Sequence, residues 1–321
     1  MRRRTLVCFV SLAVLAALQV LSGPHRQLSA ESKSLTPHDG RYLDQKPPGT
    51  TPVLFSPGTI SLEGSYEGGA TFSYDGRYFC YKTVLESNPE VEKILISENR
   101  DGEWTSPRLA PFSSDIEFSD WDFQFSSFEK KIYFTSNQPA VLEGKSLRPS
   151  NIWVASYESG EWSEPELLGV PINVADSYSG YPSITTSGTM YFHSERKDTI
   201  GGTDIYRSRF EDGEIVIENL GAPVNSPDGD LDPVIAPDES YLLFLSRRNR
   251  NTKYSNHLFV SFRDEDDRWS DPVDLDPLLG VAALPSISPD GRYIFFAKGD
   301  YDDDGSFDIY WVDARIIEEW K

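Results

Sequence analysis

Five aspartates fall within nine positions, Asp300, Asp302, Asp303, Asp304 and Asp308, and the apolar stretch "DIYWVDA" begins at the last of them. Carboxylates this crowded repel one another unless something cationic sits among them. The spacing Asp-x-Asp-x-Asp-Gly matches the start of a calcium loop, where positions 1, 3 and 5 offer side-chain oxygens, a glycine makes the sharp turn and position 7 offers a carbonyl. Position 12 would be Trp311 instead of a bidentate glutamate, which excludes a helix-loop-helix calcium site. A second group of carboxylates, Glu67, Asp120, Asp122, Asp230 and Asp232, is scattered through the chain. Paired carboxylates can do acid–base work if the fold brings them together. Other catalytic signatures are missing: there is no Gly-x-Ser-x-Gly, no His-Glu-x-x-His and no Gly-rich phosphate loop.

The composition bounds what could carry these groups. The chain has 321 residues with 23 Gly and 22 Pro, so it reads as many short strands broken by turns. Its net charge of −21 opposes contact with nucleic acid and anionic lipid and favours cations or basic partners. The start, "MRRRTLVCFVSLAVLAALQVLSG", has three arginines followed by an apolar run too short to span a bilayer. Residues 1–22 are therefore expected to be a signal peptide, and the protein to be exported, periplasmic or secreted, with no membrane insertion after cleavage. Residues 23–50 are polar and Pro-rich and are expected to form a flexible arm. Cys80, the one cysteine beyond the leader, sits in an apolar run and reads as a buried thiol.

From residue 51 onward the chain repeats itself. "ATFSYDGRYFCY", "FQFSSFEKKIYFTS", "PSITTSGTMYFHS", "PVIAPDESYLLFLS" and "PSISPDGRYIFFAK" each give a short strand, a tight turn and an aromatic-rich strand. Aligning Tyr78, Ile132, Thr189, Tyr241 and Tyr293 gives a period in the low fifties, about the length of one four-stranded propeller blade. The second strands, such as "YIFFA" and "YLLFL", are apolar on both faces, as a strand between neighbouring sheets must be. A third strand follows in every unit. A fourth is announced by Trp-x-x-Pro in "EWTSP", "EWSEP" and "RWSDP" but is missing from the fifth unit. The unpartnered segment "TPVLFSPGTIS", residues 51–61, can supply it and remove the open sheet edge. The expectation is an all-β propeller over residues 51–321, with five four-stranded blades closed by an N-terminal strand; six blades is the alternative.

The motifs "SPDGRYIFFAK…DIYWVD" and "LGVPINVADSYSGYPSITTSGTMYFHSERKDTIGGTDIY" resemble the TolB-like, WD40-like β-propeller repeats of exported bacterial proteins. The resemblance covers roughly residues 51 to 315 and implies a fold more than a function, because propellers host binding, scaffolding and catalysis alike. In such propellers the loops before the first strand and those joining the second to the third ring one mouth of the channel. In register, Glu67, Asp120, Ser179, Asp230 and Ala282 share one position there, and Gly69, Asp122, Tyr181, Asp232 and Leu284 another. The second loop set contributes Arg196, Arg247 and Arg248. The expected ligand-binding residues are Glu67, Asp120, Asp122, Tyr181, Arg196, Asp230, Asp232 and Arg247. Asp and Ser in such loops also cap turns and tie blades together, which is the plainer role for any one of them.

The acidic hairpin resembles the calcium loops of integrin-α-type propellers. That resemblance implies a structural Ca²⁺ held by the side chains of Asp300, Asp302, Asp304 and Asp308 and the carbonyl of Ser306. The functional expectation is a monomeric, non-enzymatic binding or scaffolding module for a protein or carbohydrate partner at the cell envelope. The alternative is a carboxylate-dependent glycoside hydrolase or lyase, with Asp122 and Asp232 as the catalytic candidates.

Overall fold

Each repeat folds into one antiparallel sheet in the computed structural model, which describes residues 41–126, 128–248, 256–299 and 306–321. Blade 1 runs from its inner strand Glu67–Phe72 through Tyr78–Leu85 to Asn88–Arg100. The corresponding strands are Asp120–Phe125, Lys131–Ser136 and Asn151–Glu158 in blade 2, and Ser179–Ile184, Met190–Ser194 and Asp204–Glu211 in blade 3. They are Asp230–Ile235, Tyr241–Ser246 and His257–Phe262 in blade 4, and Ala283–Ile287, Tyr293–Gly299 and Phe307–Asp313 in blade 5.

The outer strands record a local sequence rule. Blade 3, which lacks the Trp-x-x-Pro pattern, has one continuous outer strand, Glu214–Asn219. In blades 1 and 2 the outer strand is split into Glu103–Trp104 and Arg108–Leu109, and into Glu161–Trp162 and Glu166–Leu167. Pro107 and Pro165 fall in the gaps, where a residue without an N–H cannot continue the ladder. Blade 4 keeps only Val273–Asp274 after Pro272.

Blade 5 closes as the unpaired N-terminal segment requires. Val53 pairs with Trp311 and Leu54 with Tyr310, antiparallel, and the Phe55 amide donates to the Ile309 carbonyl at 2.8 Å. Phe55 is fully buried, with its ring 5.2 Å from that of Trp311 and 5.3 Å from that of Phe295. The ring therefore has five blades. One detail differs from the sequence expectation. The residue that matches Tyr78, Thr189, Tyr241 and Tyr293 is Lys131, not Ile132, because the Lys131 carbonyl closes the turn with the Ser126 amide. Within the segment read as an arm, Tyr42 lies edge-on to Phe72 and Tyr293, and its hydroxyl donates to Asp290 Oδ1 at 3.0 Å.

The core is divided among the blade interfaces, which explains the two-faced second strands. In blade 4, Leu243 and Leu245 pack with Ile294 and Phe296 of blade 5. The alternate residues Leu242 and Phe244 pack with Tyr191 and Ile205 of blade 3. Blades 1 and 2, 2 and 3, and 5 and 1 meet in the same way. Each such side chain contributes about 1.5–3 kcal/mol of burial, so the ring is held mainly by contacts between sheets. Among the described residues, no helix is long and apolar enough to cross a membrane.

Candidate functional site at the channel mouth

Every inner strand breaks its pairing at the same height. The ladder skips two residues after Gly68, Trp121, Gly180, Leu231 and Ala283. The first residue skipped has positive φ in all five blades: Gly69 (59°), Asp122 (48°), Tyr181 (53°), Asp232 (52°) and Leu284 (49°). A bulge with a left-handed residue bends the strand and re-aims its side chain. Four of the five are not glycine, at a cost of order 1 kcal/mol each or more. These are the five positions that the sequence register aligns.

Each bulge lies beside a residue near the upper end of the preceding blade's second strand. The five matching residues, Lys82, Thr135, His193, Leu245 and Ala297, follow from the common pairing register. Thr135 Oγ1 accepts from the Tyr181 amide at 3.0 Å, and His193 Nδ1 accepts from the Asp232 amide at 3.1 Å. Accepting at Nδ1 puts the proton of a neutral His193 on Nε2. A side chain on Gly180 would press its Cβ to within 2.8 Å of that nitrogen, so glycine makes room for the ring. Leu284 packs against the cluster containing Leu245. The mouth therefore has a polar arc built by blades 1 to 4 and an apolar arc completed by blade 5.

Charge within the polar arc is tightly balanced. Lys82 Nζ, almost wholly buried, lies 3.1 Å from Glu92 Oε1 and 5.5 Å from the centre of the Tyr66 ring. Burial opposes its charge, but Tyr66, Glu92 and Asp122 outweigh that and hold its pKa above the ordinary lysine range. Burial pushes the Asp122 carboxyl well above the usual range, and the nearby Asp232 charge adds to the shift. Asp122 and Asp232 thus come from alternate blades to one site. Tyr181 lies across it: its buried side chain starts in blade 3 and its hydroxyl donates to the Pro285 carbonyl in blade 5 at 2.7 Å. Glu67 is buried at the blade 1 edge; desolvation first, then the charge of Asp308, pushes its carboxyl up to about 7.

The other expected ligand residues are held by the scaffold. Asp120 accepts from Lys93 Nζ at 2.5 Å and Ser113 Oγ at 2.8 Å. Asp230, fully buried, accepts from the Ser226 amide and hydroxyl, Ser246 Oγ and Arg248 Nη2. Arg196 donates to the carbonyls of Pro171 and Ile172 at 2.8 and 2.7 Å and lies over the rings of Phe192 and Tyr206. Arg248 repeats that arrangement one blade on, donating to Pro223 and Val224 over Phe244 and Phe259. Arg247 is exposed and donates to Asn256 Oδ1 at 2.9 Å.

Of the acidic hairpin, Asp300, Asp302 and Asp304 lie outside the described residues. Ser306 and Asp308 are placed at the start of the third strand of blade 5, where the Phe307 amide donates to the Ser65 carbonyl of blade 1 at 3.1 Å. The sequence reading missed Lys82, Glu92 and His193. A lysine inside "FCYKTV" and a histidine inside "MYFHS", both in strands sandwiched between sheets, were the available signal.

These features define a five-bladed β-propeller with a polar arc at one mouth of its channel. No protein-family model matches the chain, and a search of curated proteins finds no match. Among solved structures it is similar to TolB from Acinetobacter baumannii, with 15% identity, 78% of this chain and 57% of that chain covered, and a TM-score of 0.44. It is also similar to the putative TolB from Agrobacterium tumefaciens (16% identity, 76% and 80% covered, TM-score 0.45). The native arabinanase Arb43A of Bacillus subtilis is similar at 12% identity, with 79% and 95% covered and a TM-score of 0.49. The chain thus spans 57% of the length of the first of these. Likenesses at this level carry no residue role across.

Proposed function

We propose that this chain is an exported binding module that holds an oxygen-rich group of a protein or carbohydrate partner at the channel mouth without transforming it. The polar arc lying over Tyr181 carries the reading. Burial favours the neutral form of the Asp122 carboxyl, a form that donates as well as accepts, and Lys82 adds a buried cation. Such a set suits hydroxyl and carbonyl oxygens. The Tyr181 bar favours capture at the mouth over passage along the channel. The arginine-led apolar leader supports export, and the spacing of the acidic hairpin supports a structural Ca²⁺.

The test is to pass envelope extracts over immobilised wild type and the double variant Asp122→Asn/Asp232→Asn. A partner kept by wild type and lost by a double variant with unchanged melting temperature is the expected result. An identical set of partners on both columns overturns the reading.

One observation favours a second reading, a carboxylate-dependent glycoside hydrolase or lyase: burial and the nearby Asp232 charge push the Asp122 carboxyl upward, the direction a general acid requires. New reducing ends released from a panel of polysaccharides by wild type, and by neither single Asn variant, would establish it. No release from any of them leaves the binding reading in place.

A further inference from the structure

One residue of each third strand, set by the pairing register, occupies the same structural position in all five blades. Lys93, Asn151, Asp204, His257 and Asp308 stand there, paired with Thr83, Ser136, Ser194, Ser246 and Lys298. In three blades hydrogen bonds engage the side chain. Lys93 donates to Asp120, and Asn151 Nδ2 donates to the Arg148 carbonyl at 2.7 Å. Asp204 accepts from the amides of Ile200 and Gly201 and from Asn219 Nδ2.

Blade 4 departs from this pattern. His257 is only 7% exposed, and its Nδ1 is buried without a hydrogen bond. Two carboxylates converge on that nitrogen. Asp274, the last residue of the outer strand, brings Oδ1 to 3.9 Å, and Asp276, at the start of the connection to blade 5, brings Oδ2 into contact. One donor atom from each of the three residues lies within 4.8 Å of the others. A buried imidazole nitrogen facing two carboxylate oxygens is a donor set for a borderline metal ion, which takes nitrogen and oxygen together. Hard cations such as Ca²⁺ and Mg²⁺ prefer oxygen alone.

We propose that His257, Asp274 and Asp276 form a binding site for a divalent transition-metal cation of the zinc type, with the remaining coordination positions left to water. The three ligands come from the third strand, the outer strand and the link to the next blade. A bound ion would fasten at one point the part of blade 4 where the outer strand is reduced to Val273–Asp274. Its ligands are distinct from the residues expected to hold Ca²⁺ in the acidic stretch 300–308, and it does not depend on the binding role proposed for the channel mouth.

The test uses the full chain, freed of metal by chelator and titrated with Zn²⁺ by calorimetry, with melting temperature followed in parallel. The expected result is one equivalent bound and a raised melting temperature that Mg²⁺ and Ca²⁺ do not reproduce. Asp274→Asn and Asp276→Asn keep the volume and remove a charge. Each should weaken zinc by more than the roughly 10–100-fold typical of losing a mere outer-shell partner, while Asp302→Asn in the hairpin leaves zinc binding intact. An X-ray absorption edge spectrum of the loaded wild type should report nitrogen and oxygen ligands, so the proposal stays decidable even if a variant fails to fold. Absence of stoichiometric binding, or unchanged zinc affinity in both Asn variants, overturns it and leaves His257 as a charge partner of Asp276.

Discussion

The lower ends of the five inner strands place Phe72, Phe125, Ile184, Ile235 and Ile287 around a residual cavity of about 20 Å³. The upper ends of the same strands bulge, hold positive φ and present Asp122, Tyr181 and Asp232 to a buried lysine and a histidine. One end narrows to a small cavity between apolar strand ends and a few polar neighbours. The other carries backbone strain and partly balanced charge, both of which cost stability. A ring whose blade interfaces are well packed can bear that cost, and strain concentrated at one height in every blade is what makes the mouth the candidate site.

The contrast predicts opposite responses to substitution. The largest effect belongs to the floor: Ile235→Ala should cost about 2–5 kcal/mol by cavity formation, read in a urea titration, and leave partner capture unchanged. A loss of capture at matched folding would mean that the floor takes part in binding.

At the mouth, Lys82→Met removes a buried cation from beside Glu92 and Asp122. Glu92 is 28% exposed, so the loss should fall near the low end of the cost for a broken buried pair, about 2–3 kcal/mol. If stability is unchanged, the lysine does not balance the arc.

Asp122 supplies a pH signature. Its folded pKa is raised above the unfolded value of 3.8, so over that interval the folded state binds more protons. Stability therefore falls as pH rises above about 4 and goes on falling until the folded pKa is passed. Glu67, pushed up to about 7, adds a decline between its ordinary carboxyl range and pH 7. In melts recorded from pH 4 to 8, Asp122→Asn should decline less steeply than wild type. Equal slopes would separate Asp122 from the effect.

The smallest expected change concerns the acidic stretch 300–308. Millimolar Ca²⁺ should raise stability by about 1 kcal/mol for a weak extracellular-type site, and Asp302→Asn with Asp304→Asn should abolish the rise. No shift on adding Ca²⁺ ends the calcium proposal.

Much of the architecture was legible because its causes are local. Strand–turn–strand repeats and apolar residues on both faces of the second strand recur five times, and a proline in the outer strand three times; all act through nearest neighbours. The unpaired "TPVLFSPGTIS" was readable for the same reason, since a ring one strand short must find it somewhere. The aligned bulge positions were legible too, from register alone. What each charged residue does there was not. Asp120 and Asp230 share a register position with Glu67, yet Lys93 and Arg248 engage the first two, while Glu67 lies beside Asp308. Arg196 and Arg248 look like ligand groups in "SERK" and "SRRN" but donate to carbonyls of the preceding blade connection.

By itself, then, the order of residues determined the number of blades, their strands, the closure and the height of the mouth, because period, turn chemistry and alternation depend on short stretches of chain. Only the tertiary structure decided which carboxylates are bound into the scaffold and which face one another, and that His257 meets Asp274 and Asp276. Those relations join residues from different strands and blades. Desolvation and Coulomb interactions depend on distance and enclosure in three dimensions, which a one-dimensional pattern does not specify.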